Sequence, residues 1–285
     1  MDELTFIDTI ATLPSPSPVL RRIAAVTANP ESPVSQVVDA LKLDPAIAGK
    51  ILRLANSAYI GMPRSVSSLH NAVVLLGTKR IQSIIMVAQF ADPFNGKKNA
   101  HSFPLERYWR HSTTLALIAE SIGRHLKRYE IVDEQELFSA AILHDIGKLV
   151  LAVHEPSVLV EADQRARRGQ VPFYCAENDR FSHTAIGALL SEKWGFPFEL
   201  SAAIASHHAP DRAGAHARFV SIIHVADVTA HLIGYSTFED EIAPLLDEKA
   251  LAAIQLPPER LRVIAETEVE NQSKIEELCG IFGMK

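Results

Sequence analysis

An all-helical fold is predicted by three features of this 285-residue sequence. Apolar residues recur at intervals of three and four along nearly the whole chain, strand-like alternation is hard to find, and prolines and capping side chains punctuate the pattern at helix-length spacing. With 47% hydrophobic and 22% charged residues, a chain of this length can bury one large core or two smaller ones.

The N-terminal part reads as a run of short helices. The Pro-Ser repeat over residues 14–18 is a stiff, extended lead-in to a helix that begins near Val19. Ser32-Pro33 and Asp44-Pro45 each pair a capping side chain with a proline at the first helical position, where the missing N–H costs nothing, so two helix starts are expected there. The run from Leu52 to Ser57 reads as a helix end capped by Asn56. Gly77 followed by Thr78 reads as a stop and a new start, dividing Ala72–Leu76 from a helix over Lys79–Phe90.

Prolines, a glycine, asparagines and lysines break the periodicity between Asp92 and Pro104. A joint is expected there, between an N-terminal helical subdomain (1–95) and a second helical body (105–235). In that body, longer patterns run over Leu105–Lys127, Glu134–Val153, Thr184–Trp194, Pro197–His207 and Ala215–Ile233. Residues 236–285 read as an extension of two or three further helices.

The formal charge of −6, from 34 acidic and 28 basic residues, lacks the positive excess of a nucleic-acid binder, so no nucleic-acid partner is expected. Two cysteines, Cys175 and Cys279, are too few to staple the fold and suit a reducing compartment. Met1-Asp2-Glu3-Leu4 carries no signal-peptide pattern, and the most hydrophobic run, Ile81–Phe90, is too short to span a bilayer. A cytoplasmic protein with no membrane contact is expected.

The sharpest chemical signal is His144-Asp145 within Leu143-His-Asp-Ile-Gly-Lys148. A carboxylate beside an imidazole in an apolar helix must be satisfied, and a metal satisfies both, although an isolated pair is more often a hydrogen-bonded core histidine beside a helix-terminal aspartate. This pair is accompanied by His111, by His183 after its Ser182 cap, by the tandem His207-His208, and by Asp227 on an apolar helix. Adjacent helical residues point about 100° apart, so His207 and His208 suit two neighbouring ions, and Asp145 is the natural bridge with its two oxygens. Mixed imidazole and carboxylate donors favour one or two transition-metal ions, iron, manganese, zinc or nickel, over calcium or magnesium. His224, three residues before Asp227, reads as a supporting partner or a competing ligand, and is left out of the set. The remaining histidines, His231 among them, are expected at the surface or as caps. Lys148 reads equally as a phosphate contact or as a lysine favouring the C-terminal half of its helix.

The order His111, His144-Asp145, His183, His207-His208, Asp227 resembles the HD superfamily of metal-dependent phosphohydrolases. Leu13-Pro-Ser-Pro-Ser-Pro18, Asp44-Pro-Ala46, Leu52-Arg-Leu-Ala-Asn-Ser57 and Ala72-Val-Val-Leu-Leu-Gly77 resemble the N-terminal signature of its HDOD members. The likeness covers roughly residues 6–235 and implies an HD-like helical core. It implies His111, His144, Asp145 and Asp227 as the basic metal set, with His183, His207 and His208 resembling the added ligands of the HD-GYP branch. Lys148 matches that branch's phosphate-holding lysine, but Ala209-Pro-Asp-Arg-Ala-Gly-Ala215 stands where the branch carries Gly-Tyr-Pro. The resemblance therefore implies a bacterial signalling module that contacts regulatory proteins or other signalling domains, its metal site structural or sensory. The alternative is a metal-dependent phosphohydrolase of a nucleotide or cyclic dinucleotide, with Asp145 and Lys148 in catalytic roles.

Overall fold

The computed structural model describes residues 18–29, 31–94, 103–126, 133–178 and 181–282, which are helical with no strand among them. Residues 14–17 of the lead-in, 95–102 of the expected joint, and Lys127 at the end of its expected helix lie outside the described residues. The chain divides into two compact units.

The first unit begins with α1 (Pro18–Ala28), α2 (Val34–Leu41), α3 (Pro45–Ala55), α4 (Leu69–Leu76) and α5 (Thr78–Phe94). Asp44 caps α3, its Oδ1 accepting from the backbone N–H of Ala46 at 3.0 Å and of Ile47 at 3.1 Å, with Pro45 in the first helical turn. Ile47, Ile51, Leu54 and Ala55 then fall on one buried face at helical spacing. The expected cap at Ser32 does not form. Pro33 itself precedes α2, and no side chain bonds the first turn. Asn56 ends α3 as expected and also staples the following loop, donating to the Val66 carbonyl at 2.9 Å and accepting from the Val66 N–H at 2.7 Å. Gly77, at φ 75°, ends α4 immediately before α5.

The second unit contains α6 (Leu105–Leu126), α7 (Glu134–Leu143), α8 (Ile146–His154), α9 (Pro156–Gly169), α10 (Phe173–Ala176), α11 (His183–Trp194), α12 (Phe198–Ser206), a 3-10 turn over Pro210–His216, α13 (Ala217–Leu232), α14 (Glu248–Ile254) and α15 (Pro258–Glu270). Helix α6 lies at its centre, packed by α7, α13 and α15. The last helix, α16 (Gln272–Phe282), packs on α3 and α5 of the first unit, where Glu277 accepts from the Ala58 N–H at 2.8 Å. The C-terminal stretch is thus shared between the two units.

One expected helix is broken. The pattern over Glu134–Val153 is interrupted at His144-Asp145, with Asp145 at φ −96°, ψ 15°, a sparsely populated region that active-site residues often occupy. An uninterrupted helix would turn the two side chains about 100° apart, whereas the break lets both face one centre. It also puts Lys148 in the first turn of α8, not the C-terminal half of a helix. The stretch Glu134–His154 is apolar enough to qualify by composition as a membrane span, yet 89% of its apolar 18-residue portion is buried inside the protein. That apolarity serves the core.

Helices α8 and α11 approach through glycines. A methyl group on Gly147 would overlap the His183 carbonyl, and one on Gly187 would meet Ile204 Cγ2 at 2.5 Å. This close approach brings the start of α11, with His183, against Asp145.

Candidate metal centre

Seven side chains chosen from the sequence meet in the second unit. His111 comes from α6, His144 and Asp145 from the break between α7 and α8, and His183 from the start of α11, which Ser182 caps through the Ala185 N–H at 3.2 Å. His207 and His208 follow α12, and Asp227 projects from the middle of α13. All are buried except His208, whose side chain is 13% exposed.

Four imidazoles are oriented alike. The Nδ1 atoms of His111, His144 and His207 lie 2.9, 2.7 and 3.0 Å from the carbonyl oxygens of Tyr235, Ala141 and Ala203, and His183 Nδ1 lies 2.6 Å from Glu177 Oε2. Each acceptor lacks a proton of its own, so each Nδ1 carries the hydrogen, and in the neutral ring Nε2 presents a bare lone pair. Those lone pairs converge: Nε2 of His111 and His144 are 3.3 Å apart, and Nε2 of His183 and His207 are 3.2 Å apart.

Asp145 stands between the two imidazole pairs. Its Oδ1 is 3.1 Å from His183 Nε2 and 3.6 Å from His207 Nε2, and its Oδ2 is 3.3 Å from His144 Nε2 and 3.9 Å from His111 Nε2. Asp227 places Oδ1 3.3 Å from His111 Nε2 and Oδ2 3.8 Å from His208 Nδ1. Asp145 Oδ1 and both Asp227 oxygens are nonetheless buried without a properly angled hydrogen bond. Facing lone pairs and unsatisfied carboxylate oxygens repel one another unless a cation lies among them, so this donor set fits a metal. His111, His144 and Asp227 form one group that could hold an ion, His183, His207 and His208 another, with Asp145 within reach of His144 and His207.

The electrostatics agree. Burial, reinforced by neighbouring imidazoles, holds His207 and His208 well below the ordinary histidine range, and burial lowers His111 too, leaving all three neutral as ligands require. Burial opposes a charge on His183, but the Glu177 and Asp145 carboxylates push it up to about 9. Burial would raise Asp145 and Asp227, yet Lys148 with His144 and His183, and His231 with His111, hold them well below the carboxylate range.

Lys148 is buried, its Nζ 2.7 Å from Asp145 Oδ2 and 5.1 Å above the Phe173 ring. Burial works against its charge, but Asp145 and Glu241 raise its pKa.

Several participants were not legible as such. His231, expected at the surface or as a cap, is buried between Asp227 Oδ1 at 3.1 Å and Glu241 Oε1 at 3.6 Å. It lies four residues after Asp227, on the same helical face, which was the available signal. His224 is a supporting residue: Nδ1 donates to the His207 carbonyl at 2.8 Å and Nε2 accepts from the Asp247 N–H at 2.9 Å, so neither nitrogen is free for a metal. Glu177, Glu241 and Tyr174, whose ring stacks on His208 at 4.1 Å, carry no sequence pattern that marks them.

Comparison with known proteins places these features. The family model of the HDOD domain matches residues 13–210. An uncharacterized protein of Treponema pallidum (strain Nichols) is 22% identical over 239 residues, and the match covers 83% of this chain but 45% of that relative's length. Among solved structures, an HDOD domain protein of unknown function from Geobacter sulfurreducens superposes with a TM-score of 0.76 at 22% identity, covering 99% of this chain and 97% of that one. A candidate phosphohydrolase from Shewanella amazonensis SB2B gives 0.75 at 23% identity, covering 99% and 98%. A candidate signal transduction protein from Marinobacter aquaeolei VT8 gives 0.78 at 22% identity, covering 98% of this chain and 61% of that one. At these identities the likeness to solved structures concerns the fold.

Proposed function

Because the chain belongs to the HDOD domain family, within the HD superfamily, we propose that it is a signal-transduction module that works through contacts with regulatory proteins or other signalling domains. In this reading the centre holds one or two transition-metal ions, iron, manganese, zinc or nickel, as a structural or sensory element. One ion would be held by His111, His144 and Asp227, the other by His183, His207 and His208, with Asp145 placed between the two groups.

The observation that carries this reading is the state of Lys148. Turnover of a phosphate ester requires an open coordination position and a charge free to hold phosphate oxygens. Lys148 is the group the sequence offers for that charge, and it is buried and committed to Asp145 at 2.7 Å. Six of the seven ligands are buried as well, His208 being partly exposed.

The second reading, a metal-dependent phosphohydrolase, is favoured by the donor set itself, six residues around the Asp145 carboxylate, which turns one oxygen toward each group. Bound ions would supply Lewis-acid polarisation of a phosphate. Asp145 and the histidines would then hold and orient them, and Lys148 would have to leave Asp145 to reach a substrate.

A turnover screen of the metal-loaded protein on nucleotides and cyclic dinucleotides separates the two readings. The signalling reading expects negligible hydrolysis of cyclic-di-GMP. Robust metal-dependent turnover, abolished by Asp145→Ala and lowered about 100-fold or more in kcat/KM by Lys148→Ala, would replace it with the enzymatic one.

A further inference from the structure

The segment after α13, residues 235–247, crosses the centre without regular helix or strand and touches it at four places. The Tyr235 carbonyl accepts from His111 Nδ1 at 2.9 Å. Glu241 faces His231 Nε2 at 3.6 Å, and His231 Nδ1 lies 3.1 Å from Asp227 Oδ1. The Leu245 backbone N–H faces the hydroxyl of Tyr174, whose ring stacks on His208 at 4.1 Å. The Asp247 N–H donates to His224 Nε2 at 2.9 Å, while His224 Nδ1 holds the His207 carbonyl at 2.8 Å. One segment therefore reaches His111, Asp227, His208 and His207, the last three through side chains that are not themselves in the ligand set.

We infer that this strap is the element that reads metal occupancy, ordered when the centre is filled and loosened when it is empty. The inference rests on the metal reading proposed above. Filling the centre fixes the orientation of each ligand ring and carboxylate, and each contact passes that constraint to the strap. Lacking a regular ladder of backbone hydrogen bonds, the strap depends more on these contacts than the surrounding helices depend on theirs. Its beginning is held independently: Arg107 donates to Ser236 Oγ at 3.2 Å and to the Phe238 carbonyl at 3.0 Å, and Phe238 stacks on Phe173 at 4.7 Å. The response is therefore greatest toward Leu245 and Asp247. Leu245 is 68% exposed and Leu246 40%, so a change in the strap is a change in the molecular surface, as a signalling role requires.

The test is hydrogen exchange by mass spectrometry on the full chain, stripped with a chelator or loaded with Zn²⁺, with bound zinc measured separately by elemental analysis. Loading should slow exchange across 235–247 by about tenfold or more and leave the helices of the first unit unchanged. Tyr174→Phe keeps the ring on His208 but removes the hydroxyl contact to Leu245. It should bind Zn²⁺ as the wild type does and lose the slowing at 245–247. Protein that binds Zn²⁺ with no change in strap exchange overturns the inference and leaves the metal reading standing, as does full Zn²⁺-dependent slowing at 245–247 in Tyr174→Phe. Protein that binds no Zn²⁺, iron, manganese or nickel overturns both.

Discussion

Glu177 grips His183 twice: Oε1 accepts the backbone N–H at 2.8 Å, and Oε2 lies 2.6 Å from ring Nδ1. The first contact fixes where α11 begins and the second fixes which way its first side chain points. Together they aim Nε2 at Asp145. Carboxylates that orient a ligating imidazole in this way typically govern metal affinity by one to two orders of magnitude. Glu177→Gln should therefore weaken zinc binding about 10- to 100-fold while leaving the helical circular dichroism unchanged. Competition against a chromophoric chelator reads the change, and an unaltered affinity would remove Glu177 from the site.

Lys148 supplies a buried positive charge against Asp145. Lys148→Ala strands that carboxylate, and in metal-free protein the loss should be about 3 kcal/mol or more, measured by urea unfolding. Added zinc should recover much of the deficit, because a cation in the centre provides the charge the lysine gave. A variant equally destabilised with and without zinc would contradict this.

Gly147 permits the contact of α8 with α11. In Gly147→Ala the new methyl meets backbone atoms, which cannot rotate away, so α11 must shift and carry His183 with it. A cost of about 1–3 kcal/mol is expected together with reduced zinc uptake. Destabilisation with full zinc affinity would show that the shift is absorbed elsewhere.

Glu241 gives a pH dependence of defined sign. Burial would raise its pKa, but Lys148 and His231 lower it to about 2 from an ordinary 4.5. A carboxylate depressed on folding stabilises the protein above its unfolded pKa and loses that contribution as the pH falls through the folded one. The stability gap between wild type and Glu241→Gln, in metal-free protein, should thus be flat between about pH 5 and 6, on the order of 3 kcal/mol, and close toward pH 2. Urea titrations at a series of pH values measure it. A gap that widens on acidification would refute the assignment.

The helical class was legible because apolar periodicity is local in sequence, and the grouping of His111, His144, Asp145, His183, His207, His208 and Asp227 because their order resembles that of the HD superfamily. The break at His144-Asp145 was not. The apolar pattern runs through it unbroken, and what accompanies the break is tertiary, the packing of Gly147 on the His183 backbone. Ser32 failed as a cap because the proline beside it took the boundary position. Glu177 and Glu241 reach the centre from turns, where no periodicity marks a residue as inward-facing, and the strap's contacts run largely through backbone groups that side-chain identity does not encode. Lys148 reads as a phosphate contact or a helix-end lysine, whereas the signal for its partner is the three-residue spacing from Asp145.

The most direct test is the metal content of the wild type purified without chelator, beside that of Asp145→Ala. Facing imidazole lone pairs around a two-sided carboxylate predict at least half an equivalent, on the order of one to two, of a first-row transition metal per chain, with the aspartate variant retaining the least. Wild type that emerges metal-free and takes up none of iron, manganese, zinc or nickel on incubation would contradict the account.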